Sequence, residues 1–180
     1  YQGIVGRVQA AEAPLGKTLL SDTVARQLYR LMAYKDEYEV ARLHTQTGFV
    51  ERIQNSFEGD FKVHYHLAPP LWSKRNSQGE LVKRKFGPIM LTGFKVLAKL
   101  KGLRGTKLDY FGKTEERQTE RALIREYMQH IEAVLNNLNA DSHAHAVSVA
   151  RVPENIKGFG HVKERNIRAA RSLWASLVKD

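Results

Sequence analysis

The sequence predicts a mostly α, α+β fold: a helical domain with a small antiparallel β-hairpin or three-stranded sheet around residues 61–86. Three observations carry this prediction. Apolar side chains recur at three- and four-residue spacing in several separate segments. The period changes once, at FKVHYHL (Phe61 to Leu67), a run rich in β-formers. Glycine and proline stand at the joints between the periodic segments.

Taken in order, residues 1–20 are small and polar, with Pro14 and Gly16, and read as a linker or lead-in. Residues 21–180 then form one helical domain. Ser21 or Asp22 suits a helix cap, and Val24, Leu28, Leu31 and Met32 share one face of the helix that follows. That pattern runs on through Tyr34, Tyr38 and Ala41 towards His44, until Gly48 interrupts it. Phe49 to Phe57 suits a second, short helix ended by Gly59. The strand FKVHYHL stops at Pro69-Pro70, which cannot continue a ladder. LWSKR and ELVKRKF flank Asn76-Ser77-Gln78-Gly79 as a hairpin would flank a four-residue loop.

Pro88 fits the first position of a helix that runs to about Lys101 and stops at Gly102, with Met90, Phe94 and Leu97 in an apolar row. Thr114 caps the clearest helix, in which Ile124, Tyr127, Met128, Ile131, Val134, Leu135 and Leu138 form an apolar stripe. Such a stripe is core rather than a cofactor site. Ala144 to Arg151 reads as helix more readily than strand. The last helix runs from about Val162 to Val178 and buries Val162, Ile167, Ala170, Trp174 and Leu177.

Composition narrows the function classes. The chain has 180 residues, 42% hydrophobic and 27% charged, which is a globular composition. A chain of this length buries roughly 70% of its unfolded surface and needs no disulfide or metal to fold. Cysteine is absent, which excludes a thiol nucleophile and cysteine-held zinc or iron–sulfur clusters in this segment. No apolar run approaches the roughly 18 residues of a membrane span. The opening YQGIVGRVQA has neither the basic start nor the apolar block of a signal peptide, and the cytoplasm is the expected compartment. Tyr1 in place of Met leads to the expectation of a piece of a larger protein.

The net charge is +10, and it is uneven. Between Lys74 and Lys107 ten basic residues meet a single acid, Glu80, for a net of +9. Such asymmetry speaks of an acidic partner: nucleic acid, a phosphate-bearing cofactor or an acidic protein surface. The competing account is a set of solvated lysines balanced elsewhere in the fold, and Lys99 and Lys101 also suit the negative end of a helix dipole. Lys95 and Lys99 are four apart and project together.

Other motifs carry less. His64 and His66 alternate on a strand and share a side, so both could reach one metal, yet a third ligand is missing; hydrogen bonds under the Pro-Pro turn explain them better. His143 and His145 diverge if helical. Gly158-Phe159-Gly160 lacks the full Gly-x-Gly-x-x-Gly pattern, and Gly16-Lys17-Thr18 lacks the earlier glycine of a Walker A loop, a position held by Ala11. No serine has a nucleophile-elbow context. Lys35 to Arg42 alternates in charge and reads as a structural helix with an ion-pair network.

Four blocks resemble a known family: MAYKDEYEVARLHT (Met32 to Thr45), HYHLAPPL (His64 to Leu71), LRGTKLDYFGKTEERQTERALI (Leu103 to Ile124) and KGFGHVKERN (Lys157 to Asn166). Together, over roughly residues 24–175, they look like the C-terminal domain of the fused bacterial indolepyruvate ferredoxin oxidoreductases. The resemblance implies a parent that oxidatively decarboxylates an aryl-2-oxo acid to an acyl-CoA and reduces ferredoxin, using thiamine diphosphate and iron–sulfur clusters. In that family both cofactor sites lie upstream, so it implies no catalytic, cofactor or metal residue for these positions. It implies an accessory domain that contacts the parent's upstream domains in a homo-oligomer.

The resemblance and the charge meet at Lys83, Arg84, Lys85, Lys95, Lys99, Lys101, Arg104 and Lys107, the candidate surface for an acidic partner such as ferredoxin. A nucleic-acid-binding module is the alternative. The charge allows it, and Tyr65, Trp72 and Phe86 could stack on bases. No helix-turn-helix, zinc-finger or RNA-recognition signature supports it.

Overall fold

A computed structural model of the chain describes residues 1–68, 76 and 82–177. Eight α-helices and one two-stranded antiparallel sheet occur among the described residues, so the fold is mostly helical with a small antiparallel sheet, the class the periodicity predicts. Where one domain after a lead-in is expected, the chain divides into two compact units: Tyr1–Tyr34 with Thr119–Asp180, and Lys35–Gln118.

The first unit holds α1 (Gln2–Glu12), α2 (Leu19–Met32), most of α6 (Glu115–Leu135), α7 (His143–Arg151) and α8 (Gly160–Leu177). The expected lead-in is therefore largely helix. Ile4 and Val8 stand four apart on α1 and both enter the core, while exposed Gln2, Gly3, Gly6 and Gln9 dilute the pattern in the sequence. Pro14 sits in a single 3-10 turn, Ala13–Leu15, and left-handed Gly16 closes it before α2 begins. The core joins Leu20, Val24 and Leu28 of α2 to Leu123, Tyr127 and Ile131 of α6, and to Ile167, Ala170 and Trp174 of α8.

Most of the predicted apolar stripe of α6 takes a supporting place. Ile124, Met128, Val134, Leu135 and Leu138 are half-buried against the core, and Leu123 is a buried member that the stripe did not include. Thr114 precedes α6, but its hydroxyl turns back and donates to the Phe111 carbonyl at 2.9 Å. Entry to α8 depends on glycine. Gly158 has φ +89°, and a Cβ there would lie 2.8 Å from Cγ1 of Val162.

The second unit holds α3 (Glu37–Thr45), α4 (Phe49–Ser56), β1 (Tyr65–Leu67), β2 (Arg84–Phe86) and α5 (Met90–Lys99). The single helix expected to run from Val24 towards His44 is in fact two. α2 ends at Met32, and Asp36 starts α3 afresh, accepting the Glu39 backbone N–H at 2.8 Å. The Asp36-x-x-Glu39 spacing is a cap signal inside an unbroken apolar pattern.

The strands pair in the register Tyr65 with Phe86, His66 with Lys85 and Leu67 with Arg84. FKVHYHL thus contributes the first strand and KRKF the second. The strand expected at 71–75 lies outside the described residues, as do Pro69-Pro70 and all of the expected loop except Asn76. A small core of Ala41, Tyr65, Phe94 and Ala98 holds α3, the sheet and α5 together, with Met90 and Leu97 packed against it. α5 ends at Lys99 and runs on into a 3-10 turn, Leu100–Leu103.

Candidate functional site

Six of the eight cations in the candidate surface are lysines and all six are exposed: Lys83, Lys85, Lys95, Lys99, Lys101 and Lys107. Arg84 is exposed as well, and among the described residues none of these seven joins an ion pair. Lys83 immediately precedes β2, Arg84 and Lys85 lie on it, and Lys95 and Lys99 stand one turn apart on α5. The Arg42 hydrogen bond holds the Glu39 carboxyl below the usual range against burial, and the charges of Arg42, Arg104 and, least, Lys101 act in the same direction.

Arg104 is different. Its Nε lies 2.7 Å from Oδ2 of Asp36, and its Nη2 donates to Oδ1, also at 2.7 Å. This two-pronged grip on a buried carboxylate spends Arg104 on the fold.

The Arg104–Asp36 pair belongs to a polar network that two distant blocks of sequence build together. Glu39 receives Arg42 through two hydrogen bonds, at 2.7 and 2.9 Å. The Tyr38 hydroxyl bonds to Asp109, whose carboxylate also accepts the backbone N–H groups of Gly105 and Gly112 at 2.7 and 2.9 Å. Burial, then the Asp109 charge and hydrogen bond, push the Tyr38 phenol up. The ring of Tyr38 also meets Phe111 edge-on at 5.5 Å. Glu37 pairs with buried Arg117 at 3.6 Å, and burial raises its carboxyl despite that charge.

The network ties KDEYEVAR to LRGTKLDYFGKTEER, so these residues act as a structural clamp. Asp36→Ala should lose the α3 cap and strand Arg104, lowering the stability of this unit by about 1–2 kcal/mol. A double-mutant cycle with Arg104→Ala in urea unfolding separates cap from pair, and a coupling indistinguishable from zero would mean that the pair contributes nothing.

Beside the network lies an aromatic cluster around His44. Its ring stacks on Phe94 at 4.9 Å and meets Phe49 and Tyr65 edge-on at 4.9 and 5.3 Å. Its Nδ1 is buried with no hydrogen-bond partner among the described residues, and burial holds its pKa below the usual value. Tyr65 is buried in this cluster and Phe86 is half-buried beside it, so two of the three candidate stacking aromatics face inward; Trp72 lies outside the described residues.

The first unit contains a buried acid outside the candidate residues. Glu12, at the end of α1, accepts the N–H groups of Leu20 and Ser21 at 2.7 and 2.8 Å and contacts Nε2 of His143 at 2.7 Å. It therefore covers the open N-terminus of α2 from another helix. The signal was available: Ile4, Val8 and Glu12 continue one four-residue spacing, and an acid at a core position needs partners.

His143 is buried and His145 exposed, as helical divergence requires. His64 and His66 are exposed, with His66 opposite Lys85. Among the described residues no group of three His, Asp or Glu side chains could hold a metal ion. None of their helices is long and apolar enough to cross a membrane.

These features define a helical protein with a basic exposed segment and buried ion-pair clamps, in which no catalytic or cofactor-binding signature is recognisable among the described residues. The chain belongs to a family of unknown function (DUF6537), whose family model matches residues 1–176. No curated protein and no solved structure matches it.

Proposed function

We propose that the chain is a non-catalytic accessory domain of a larger enzyme, an indolepyruvate or related aryl-2-oxoacid ferredoxin oxidoreductase. In this reading it supports assembly with the upstream domains and offers a basic surface to an acidic partner, ferredoxin. The thiamine diphosphate, iron–sulfur clusters and CoA of the parent act elsewhere in the longer chain. The observation that carries the docking role is the set of exposed cations, Lys83, Arg84, Lys85, Lys95, Lys99, Lys101 and Lys107, without ion-pair partners among the described residues. Lysines left without a carboxylate contribute long-range potential, which raises association rates without an exact pocket. Arg104 leaves this surface because Asp36 holds it.

The test is charge reversal in the full-length enzyme. Lys83→Glu, Lys85→Glu and Lys95→Glu together should raise the apparent KM for ferredoxin about tenfold at low salt, in the range of steering effects. The kcat at saturating ferredoxin should stay the same, and the difference should shrink at high salt. An unchanged KM removes the docking role. A salt-dependent gel shift by the isolated chain would instead favour the nucleic-acid reading.

A further inference from the structure

The exposed side of α5 is more than basic. Ile89, Val96 and Leu100 are 83%, 56% and 43% exposed. They are spaced by seven and four residues, which places them on one face over about three helical turns, or about 16 Å. The opposite face, Phe94 and Ala98, is buried in the small core. The outer stripe is therefore distinct from the core face of the helix. Lys95 and Lys99 follow one border of it and Lys101 comes just beyond its end, all three exposed and without ion pairs among the described residues. α5 itself contains no acid.

Gly93 adds an independent observation. It sits in the interior of α5 on the outer face, and it is exposed. Its φ is not positive, and an added Cβ would meet nothing closer than Met90 Cε at 3.8 Å, an ordinary contact. The fold therefore does not require glycine there. Glycine in a helix interior costs roughly 0.5–1 kcal/mol relative to alanine. What it does provide is a flat notch among Ile89, Val96 and Leu100, where another backbone can approach closely.

We infer that this face of α5 binds an amphipathic acidic helix of a partner protein: an apolar stripe seated over Gly93, with carboxylates along the border formed by Lys95 and Lys99. Complementary charge selects this occupant. A second copy of the chain would bring four lysines to one seam with no acid from either α5. The inference rests on the docking role proposed above and gives it a contact surface. Charge steers the encounter, and the apolar centre holds the complex once formed.

The probe is a labelled 18-residue peptide with leucine on one helical face and glutamate along its borders, compared with a scrambled peptide of the same composition. Fluorescence anisotropy with the 180-residue chain should show the ordered peptide binding at least tenfold tighter than the scrambled one. Gly93→Leu and Val96→Ser should each weaken it about tenfold. Gly93→Leu removes a helix-weakening glycine, so its melting temperature should not fall, which separates lost binding from lost folding. Lys95→Glu with Lys99→Glu should weaken binding and flatten its salt dependence.

Equal binding of the two peptides overturns the inference, as does full binding by Gly93→Leu and Val96→Ser. Tighter, Val96-dependent binding to phosphatidylserine vesicles than to the ordered peptide also overturns it, in favour of a membrane surface. Peptide binding that survives alongside an unchanged ferredoxin KM would remove ferredoxin as the docking partner and leave this face of α5 as the binding site for another acidic helix.

Discussion

Glu12→Ala should lower the stability of the unit formed by Tyr1–Tyr34 and Thr119–Asp180 by about 3–5 kcal/mol, a large share of the roughly 5–15 kcal/mol that holds a typical domain. Glu12 is fully buried and accepts from two backbone N–H groups at the start of α2 while contacting His143. Alanine leaves the Leu20 and Ser21 donors and the His143 ring without their partner in a place water does not reach, and removes the negative charge that answers the α2 dipole. Glu12→Gln keeps the shape and one acceptor oxygen but turns an NH₂ group towards other donors, so it should lose about half as much. Urea unfolding in a Trp72→Phe background makes Trp174, in the same unit, the single fluorescent reporter. Equal stabilities for wild type and Glu12→Ala would mean that the buried carboxylate is dispensable.

The same residue sets a sign for pH. Burial alone would raise the Glu12 carboxyl, but the hydrogen bonds from His143, Ser21 and Leu20 together outweigh it, and the folded-state pKa lies below the ordinary 4.5. A depressed acid contributes stability that is present in full above the unfolded value and is lost as pH falls through the folded one. Wild type should therefore lose more stability below pH 4.5 than Glu12→Gln does, and the two should converge in acid. His44 and His130 act in the same direction at higher pH. Burial favours their neutral rings, so each costs stability as pH drops below 6.5.

Legibility in the sequence followed how local each cause is. α4, α5 and α8 could be read because their apolar spacing and flanking glycines are short-range signals, whereas α7, with no glycine beside it, left helix only favoured over strand. α1 was not, because only Ile4 and Val8 mark its buried face and its purpose, to bring Glu12 to α2, appears only in three dimensions. The division of the expected helix into α2 and α3 was written in Asp36 and Glu39, but an apolar pattern that continues through Tyr38 and Ala41 masks a cap. Among the candidate cations, exposure was legible for lysines on a helix or strand. The capture of Arg104 by Asp36, 68 residues away, was not, since no local rule pairs two such charges.

Trp174→Ala should destabilise the same unit by about 3–5 kcal/mol, the cost of emptying the space of a large buried ring. Trp174 is 1% exposed, donates from Nε1 to the Val149 carbonyl at 3.1 Å, lies over the His130 ring at 4.7 Å and is tilted against Tyr127 at 6.3 Å. It thereby joins α8 to both α6 and α7. Truncation leaves a cavity and a buried carbonyl with one fewer donor, whereas Trp174→Phe keeps much of the ring and loses the hydrogen bond, so its cost should be smaller, about 1–2 kcal/mol. A second readout comes from His130. Burial depresses its pKa against the opposing pull of Glu126, and admitting water where the indole stood should move it back up towards 6.5. Amide exchange should also report the change, with lost protection spreading along α7 and α8 while α3 and α5, in the other unit, keep theirs. Uniform loss of protection across both units would show instead that they unfold as one body and that Trp174 stabilises the whole chain.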